Sequence, residues 1–268
     1  MKKVVLYITV TLFALVCISA IVAVNSVVHV HLPHGATMHI LPALRLNQKN
    51  AAVIICPGGG YHYTEQWDEG YMWFPYFFRH GYTVALLEYR MPGFDYQSPS
   101  IDGAEAVRMM RQHAEEWHFD PHNVGIMGFS AGGHLASTMM VTDDDAVRPD
   151  FGILFYPVIS MKKELTHDGS HYRLMGDKAP RALELKCSNE LHVSAKTPPA
   201  YIAVSIDDKT VNPQNAILFY DAMRAKHRPV TLHVYPSGGH GWGNRWTFEH
   251  RGQMQDDLSD WLSNRPMK

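Results

Sequence analysis

The chain has 268 residues, 24 Lys and Arg against 26 Asp and Glu, a formal charge of −2 and 46% hydrophobic residues. That length fits one large α/β domain and buries a full core without disulfide or metal staples. The near-neutral charge excludes a blanket basic surface for non-specific nucleic-acid binding, and the 19% charged content beside so many apolar residues excludes a disordered chain.

Met1, Lys2 and Lys3 precede a run from 4 to 24 that contains no charge and carries small residues at Ser19, Ala20 and Ala23. A short basic start before such a run predicts a secretory signal peptide over residues 1–25, with the protein periplasmic or secreted. The run is also long enough to span a bilayer, so an anchor retained over residues 4–24 is the alternative and the only membrane contact expected. The rest, 26–268, has no internal repeat, low-complexity tract or charge block and reads as one catalytic domain.

Along that domain, 27–32 and 38–41 read as short opening strands. The continuous apolar run 51–56 (AAVIIC) ends in Pro-Gly-Gly-Gly, as a buried strand closed by a turn does. Strands follow at 83–89, 124–129, 151–156, 200–206 and 230–235. Between them, 101–117 places Ala104, Val107, Met110, Ala114 and Trp117 on one helical stripe, and 131–140 is a second helix. Residues 160–196 are polar and irregular, with helical character around 181–190, and read as an insertion over the sheet. Asn212-Pro213 opens a helix to about 226, and Met254, Leu258, Trp261 and Leu262 mark an amphipathic C-terminal helix. Alternation of strands and helices requires a mostly parallel sheet covered by helices on both faces, with ligands beyond the carboxyl ends of the strands.

Four strand ends carry chemistry. The strand 124–129 runs into Gly128-Phe129-Ser130-Ala131-Gly132, a G-x-S-x-G turn that holds a serine hydroxyl exposed on a tight backbone. The last strand is followed by Ser237-Gly238-Gly239-His240-Gly241, a histidine on a loop able to bend over the site and act as general base. After 200–206 come Asp207 and Asp208, either of which can accept the histidine Nδ1–H; the order Ser130, Asp, His240 is that of an α/β-hydrolase. After 51–56, Gly58, Gly59 and Gly60 free backbone N–H groups to meet a developing oxyanion. Gly59 and Gly60, with Ala131 just after the serine, are the expected donors. The triglycine is not followed by a Walker Lys-Ser/Thr and belongs to no G-x-G-x-x-G, which removes the phosphate-loop reading. The three cysteines (Cys17, Cys56 and Cys187) form no CxxC, the 17 histidines no HExxH, and neither a metal nor an organic cofactor is expected.

With PGGGY at 57–61, EYRMP at 88–92, GFSAGGHLAS at 128–137, YPVIS at 156–160, TPP at 197–199, DDKTV at 207–211 and GGHGWG at 238–243, the sequence resembles bacterial α/β-hydrolase esterases of the acetylxylan esterase and feruloyl esterase-like group. That group is related to the hormone-sensitive-lipase-like and prolyl-oligopeptidase-like hydrolases. The resemblance covers nearly all of 50–262. It implies Ser130 as nucleophile, His240 as base and Asp208 as acid, although Pro213 stands one place later than the family pattern. It also places Arg90 and Asp102 at loop-holding positions, and implies an exported enzyme that removes acyl groups, acetyl foremost, from xylan-derived carbohydrate. A prolyl-oligopeptidase-like serine peptidase and a general carboxylesterase or lipase are the alternatives. Tyr61, Tyr63, Trp67 and Trp242 flank the motifs and are candidates to stack on a sugar or a ferulate.

Overall fold

The computed structural model describes residues 27–44 and 50–266. The apolar run 4–24, and the signal peptide or anchor expected there, lie outside the described residues. Among the described residues no helix is long and apolar enough to cross a membrane.

Eight strands form one sheet: β1 (Val28–His31), β2 (Thr37–Leu41), β3 (Ala52–Cys56), β4 (Thr83–Glu88), β5 (Val124–Phe129), β6 (Phe151–Phe155), β7 (Ala200–Ser205) and β8 (Val230–Tyr235). Their order across the sheet is β1-β2-β4-β3-β5-β6-β7-β8. β1 pairs antiparallel with β2, and β2 antiparallel with β4; every later pairing is parallel. β3, β5, β6 and β7 are buried on both faces. Strands covered on both sides need an unbroken apolar run rather than alternation, which is what their sequences show.

The helices of the described residues are α1 (Phe74–Arg79), α2 (Ser98–Gln112), α3 (Ser130–Met140), α4 (Asp168–Met175), α5 (Arg181–Lys186), α6 (Gln214–Ala225) and α7 (Arg251–Asn264). α3 packs on β5, β6 and α2, while α6 packs on β7 and β8. α2 starts three residues before the expected boundary, with Pro99 in its first turn, and stops at Gln112. Trp117 stays buried beyond that end, its backbone N–H donating to the His113 carbonyl at 2.9 Å, because the apolar stripe continues through a turn. α1 was hidden by its sequence, FPYFFR, which has no helical stripe to read. Its start is set by Pro75 in the first turn, and Phe74, Tyr76 and Phe77 are buried. The interior joins on an aromatic stack: Phe129 lies on Phe155 with centroids 5.1 Å apart, and Trp73 and Trp242 meet Phe155 at 5.3 and 5.2 Å.

At the end of β4, Arg90 grips the wholly buried Asp102 of α2 through its N–H at 2.8 Å and its guanidinium at 2.7 Å. That bidentate pair ties the loop after β4 to α2 and touches none of the groups around Ser130 described below.

Candidate active site

Because β3, β5, β7 and β8 run parallel, the loops leaving them gather at one edge of the sheet. Ser130 is the first residue of α3, directly after β5, and its backbone takes a left-handed φ of 50°. Such a φ is strained for a residue with a Cβ, and it turns the hydroxyl away from the helix toward the loops. The two flanking glycines are required by contact. A Cβ on Gly128 would lie 2.3 Å from the Gly132 carbonyl oxygen, and one on Gly132 would lie 2.1 Å from that of Cys56. Backbone atoms cannot move aside as side chains do. Gly132→Ala is therefore expected to cost about 1–3 kcal/mol of stability and to push the loop after β3 away from Ser130. Thermal melts and ester turnover check this; unchanged values in both would show that the close approach is dispensable.

His240 lies on the loop after β8. Its Nδ1 is 2.7 Å from Asp208 Oδ2, and its Nε2 is 2.9 Å from Ser130 Oγ. A carboxylate only accepts, so Nδ1 carries the hydrogen and Nε2 is left to accept the Ser130 hydroxyl. The other oxygen of Asp208 accepts the N–H groups of Thr210 and Val211 at 2.9 and 3.0 Å, and its side chain is fully buried. The neighbouring Asp207 points elsewhere and accepts the Gly239 N–H at 2.8 Å. The two aspartates thus divide two tasks, one facing the imidazole and one tethering the loop that carries it.

Across from Ser130, Gly59 and Gly60 adopt φ of 119° and 63°. A Cβ on Gly59 would sit 2.1 Å from the Tyr63 carbonyl oxygen. Among the described residues no acceptor takes the N–H of Gly59, Gly60 or Ala131, whereas the Gly58 N–H donates to Glu69 Oε2 at 2.7 Å. Glu69 is itself buried, and its Oε1 accepts the Tyr156 hydroxyl at 2.9 Å. Burial pushes its carboxyl up to about 7, against the opposing pull of Tyr156, the Gly58 N–H and His240.

These groups enclose a cleft of about 320 Å³ lined by Gly59, Gly60, Ser130 and His240, and by the polar side chains of His62, Glu65, His167, Arg173, Thr210 and Arg245. A larger groove of about 520 Å³, between α2 and α3, contains neither Ser130 nor His240. The 160–196 segment brings His167 and Arg173 to the cleft. His167 caps α4, its Nδ1 accepting the Ser170 N–H at 3.3 Å, which leaves Nε2 as the donor. Burial, with the nearby charges of His240 and Arg173, lowers its pKa and keeps it neutral. Arg173 reaches the Gly60 carbonyl at 3.4 Å.

The four candidate aromatics separate by exposure. Tyr63 and Trp67 are 55% and 66% exposed, so both can meet a ligand. Tyr61 and Trp242 are core residues: the Tyr61 hydroxyl donates to His134 Nδ1 at 2.9 Å, and Trp242 stacks on Phe248 at 4.3 Å. Flanking a motif in sequence does not decide which side of the backbone a ring falls on. Glu69, His167 and Arg173 were not singled out by the sequence, and Tyr156 appeared only as the first residue of the YPVIS motif, with no role attached. For Glu69 the available signal was an acid set among aromatic residues close to the triglycine.

The prolyl oligopeptidase family model matches residues 98–265, and the BD-FAE family model matches residues 40–154. An acetylxylan esterase from Xylanibacter ruminicola is 37% identical over 224 residues, which is 82% of this chain and 47% of that protein. Endo-1,4-beta-xylanase B from Butyrivibrio fibrisolvens is 32% identical over 208 residues, 72% of this chain and 32% of that protein. The chain thus spans about half or less of the length of these two curated relatives. Among solved structures, an acetyl ester-xyloside bifunctional hydrolase from Caldicellulosiruptor lactoaceticus superposes with a TM-score of 0.78 at 31% identity, covering 86% of this chain and 88% of that one. On these matches and on the mostly parallel eight-stranded sheet, the chain belongs to the α/β-hydrolase esterases of the acetylxylan esterase group, related to the prolyl oligopeptidase family.

Proposed function

We propose that the protein is an exported serine esterase that removes acyl groups, acetyl foremost, from xylan-derived carbohydrate. The observation that carries this reading is the continuous hydrogen-bonded chain from Ser130 Oγ through His240 to the buried Asp208, in a cleft shared with Gly59 and Gly60, whose N–H groups meet no acceptor among the described residues. Ser130 Oγ attacks the ester carbonyl while His240 Nε2 takes its proton, and Asp208 steadies the imidazolium that forms. Gly59, Gly60 and Ala131 donate to the oxyanion. His240 then returns the proton to the leaving sugar oxygen. Water, deprotonated by the same imidazole, releases the acid from Ser130 and closes the cycle.

The polar lining of the cleft supports a hydroxyl-rich substrate over a lipid. Tyr63, exposed and lining the cleft, supplies a face on which a sugar ring can stack, whereas Trp67 is exposed but does not line the cleft. The acetylxylan esterase relative supports acetyl as the acyl group, and the xylanase relative supports xylan as the setting. Export rests on Lys2 and Lys3 followed by the charge-free run 4–24. The same machinery cleaves amides, and the prolyl oligopeptidase match keeps a peptidase as the second reading.

Acetate and ferulate release from natural xylan oligomers, with Ser130→Ala as control, tests the proposal. The expected result is serine-dependent acetate release. Untouched oligomers beside rapid hydrolysis of a simple aryl acetate would keep the serine chemistry and remove the xylan substrate. Turnover of peptides alone would make the peptidase reading the correct one.

A further inference from the structure

Glu69 is a buried carboxyl for which the acyl-transfer cycle names no role, yet it sits where three loops of the site meet. The direction of each hydrogen bond around it is forced. The Gly243 N–H, on the loop of His240, can only donate, so the Tyr156 oxygen accepts it at 2.8 Å. The Tyr156 hydrogen must then go to Glu69 Oε1 at 2.9 Å, while Oε2 takes the Gly58 N–H at 2.7 Å. Both carboxyl oxygens receive a donor. A proton on Oε1 would compete with the Tyr156 hydrogen, and one on Oε2 with the Gly58 N–H. Burial, the larger effect, favours the neutral acid and pushes the carboxyl up to about 7, while the two hydrogen bonds favour the carboxylate and are made in full only by it.

The relay reaches both halves of the chemistry. Gly58 precedes the two expected oxyanion donors, and a Cβ on it would lie 2.9 Å from Ser130 Cβ, so its position sets how the loop faces the nucleophile. Gly243 is three residues after His240, and the Tyr156 ring packs edge-on against the imidazole with centroids 4.8 Å apart. Tyr156 itself has a left-handed φ of 35°, a strained conformation held by its packing and its two hydrogen bonds. The titratable groups facing Glu69 are Glu65 from its own segment, His240 from the loop after β8, Tyr156 after β6 and Tyr89 after β4. Arg245, paired with Asp68, lies near Tyr156. The charge of Glu69 and an imidazolium at His240 favour one another.

We infer that Glu69 is a positioning residue whose carboxylate form, acting through Tyr156, holds the oxyanion loop and the His240 loop in register, so that turnover depends on its ionisation. This rests on the serine-esterase reading above. In Glu69→Gln the side-chain oxygen can accept only one of the two donors, and the amide turns a hydrogen toward the other.

The test is aryl acetate hydrolysis by wild type, Glu69→Gln and Tyr156→Phe from about pH 4 to 9, with fluorophosphonate labelling of Ser130. Misplacing reacting groups by about 1 Å costs about 10²-fold, so Glu69→Gln is expected to lose about 10- to 100-fold in kcat with little change in KM. On the acid side, log kcat/KM of wild type should fall more steeply than that of Glu69→Gln, by the one proton that Glu69 takes up. Tyr156→Phe, which keeps the ring and removes the relay oxygen, should lose a similar factor at neutral pH. Stability supplies an independent readout. The folded carboxyl titrates near 7 and the unfolded one near the ordinary 4.5, so the folded state holds the extra proton between them. Wild type should then lose stability as pH rises through that window, and Glu69→Gln should lack this component. A Glu69→Gln protein with wild-type kcat, or an acid limb of unchanged slope, overturns the inference. Failure of wild type to turn over the ester or to be labelled at Ser130 overturns the underlying serine reading instead.

Discussion

Ser130→Ala is expected to lower kcat by about 10⁶, the scale seen when the nucleophile of such a chain is lost. The protein should stay folded, since alanine at the left-handed φ of 50° carries the same backbone strain as serine and removes one oxygen. His240 then keeps its bond to Asp208 and loses only its contact with the hydroxyl. Binding of oligosaccharide should persist, because the cleft lining is untouched. Single-turnover assays of the purified variant, beside its melting curve, check both halves. Turnover within tenfold of wild type would mean that the acyl group is transferred by another residue or directly to water.

Asp208→Asn should cost about 10⁴ in kcat, the scale of a wrongly fixed imidazole tautomer. The reason lies in the second oxygen of Asp208. It accepts two backbone N–H groups, from Thr210 and Val211, so an asparagine must turn its carbonyl oxygen toward them. Its amide hydrogens then face His240 Nδ1, which can no longer donate there. The ring moves its hydrogen to Nε2, where it meets the Ser130 hydroxyl as a donor instead of an acceptor. Asp207→Asn is the control. Its oxygen can still accept the Gly239 N–H, so kcat should change less than tenfold. Equal losses in the two variants, or a larger one at Asp207, would refute the division of tasks between the neighbouring aspartates.

Much of the site was readable because its chemistry sits in turns that are contiguous in sequence. A G-x-S-x-G after an apolar strand places a serine at a strand end whatever the rest of the chain does. A histidine among glycines after the last strand, and an aspartate pair after β7, follow the same local logic. Asp207 and Asp208 were equivalent on that logic, and only the resemblance favoured one of them. Which carboxylate meets the imidazole depends on how the loop after β7 folds back on the Thr210 and Val211 N–H groups. That turn is a property of packed backbone.

The strands and most helices were likewise legible, since continuous apolar runs and a 3.6-residue stripe are local records of burial. The sequence by itself determined the parallel sheet, the strand ends at which reactive groups stand, and the chemical types of those groups. Only the tertiary structure decided α1, a single short helix half-buried against the core with no stripe to read, and the fates of the four aromatics, two of them buried. It also decided that Glu69 and Tyr156, 87 residues apart in the chain, share a hydrogen-bond network between the loops of Gly58 and His240. A carboxyl in an aromatic-rich segment looks like any surface acid until its surroundings remove the water. Desolvation and hydrogen-bond direction are set through space by every element that packs on a residue, and no local pattern records them.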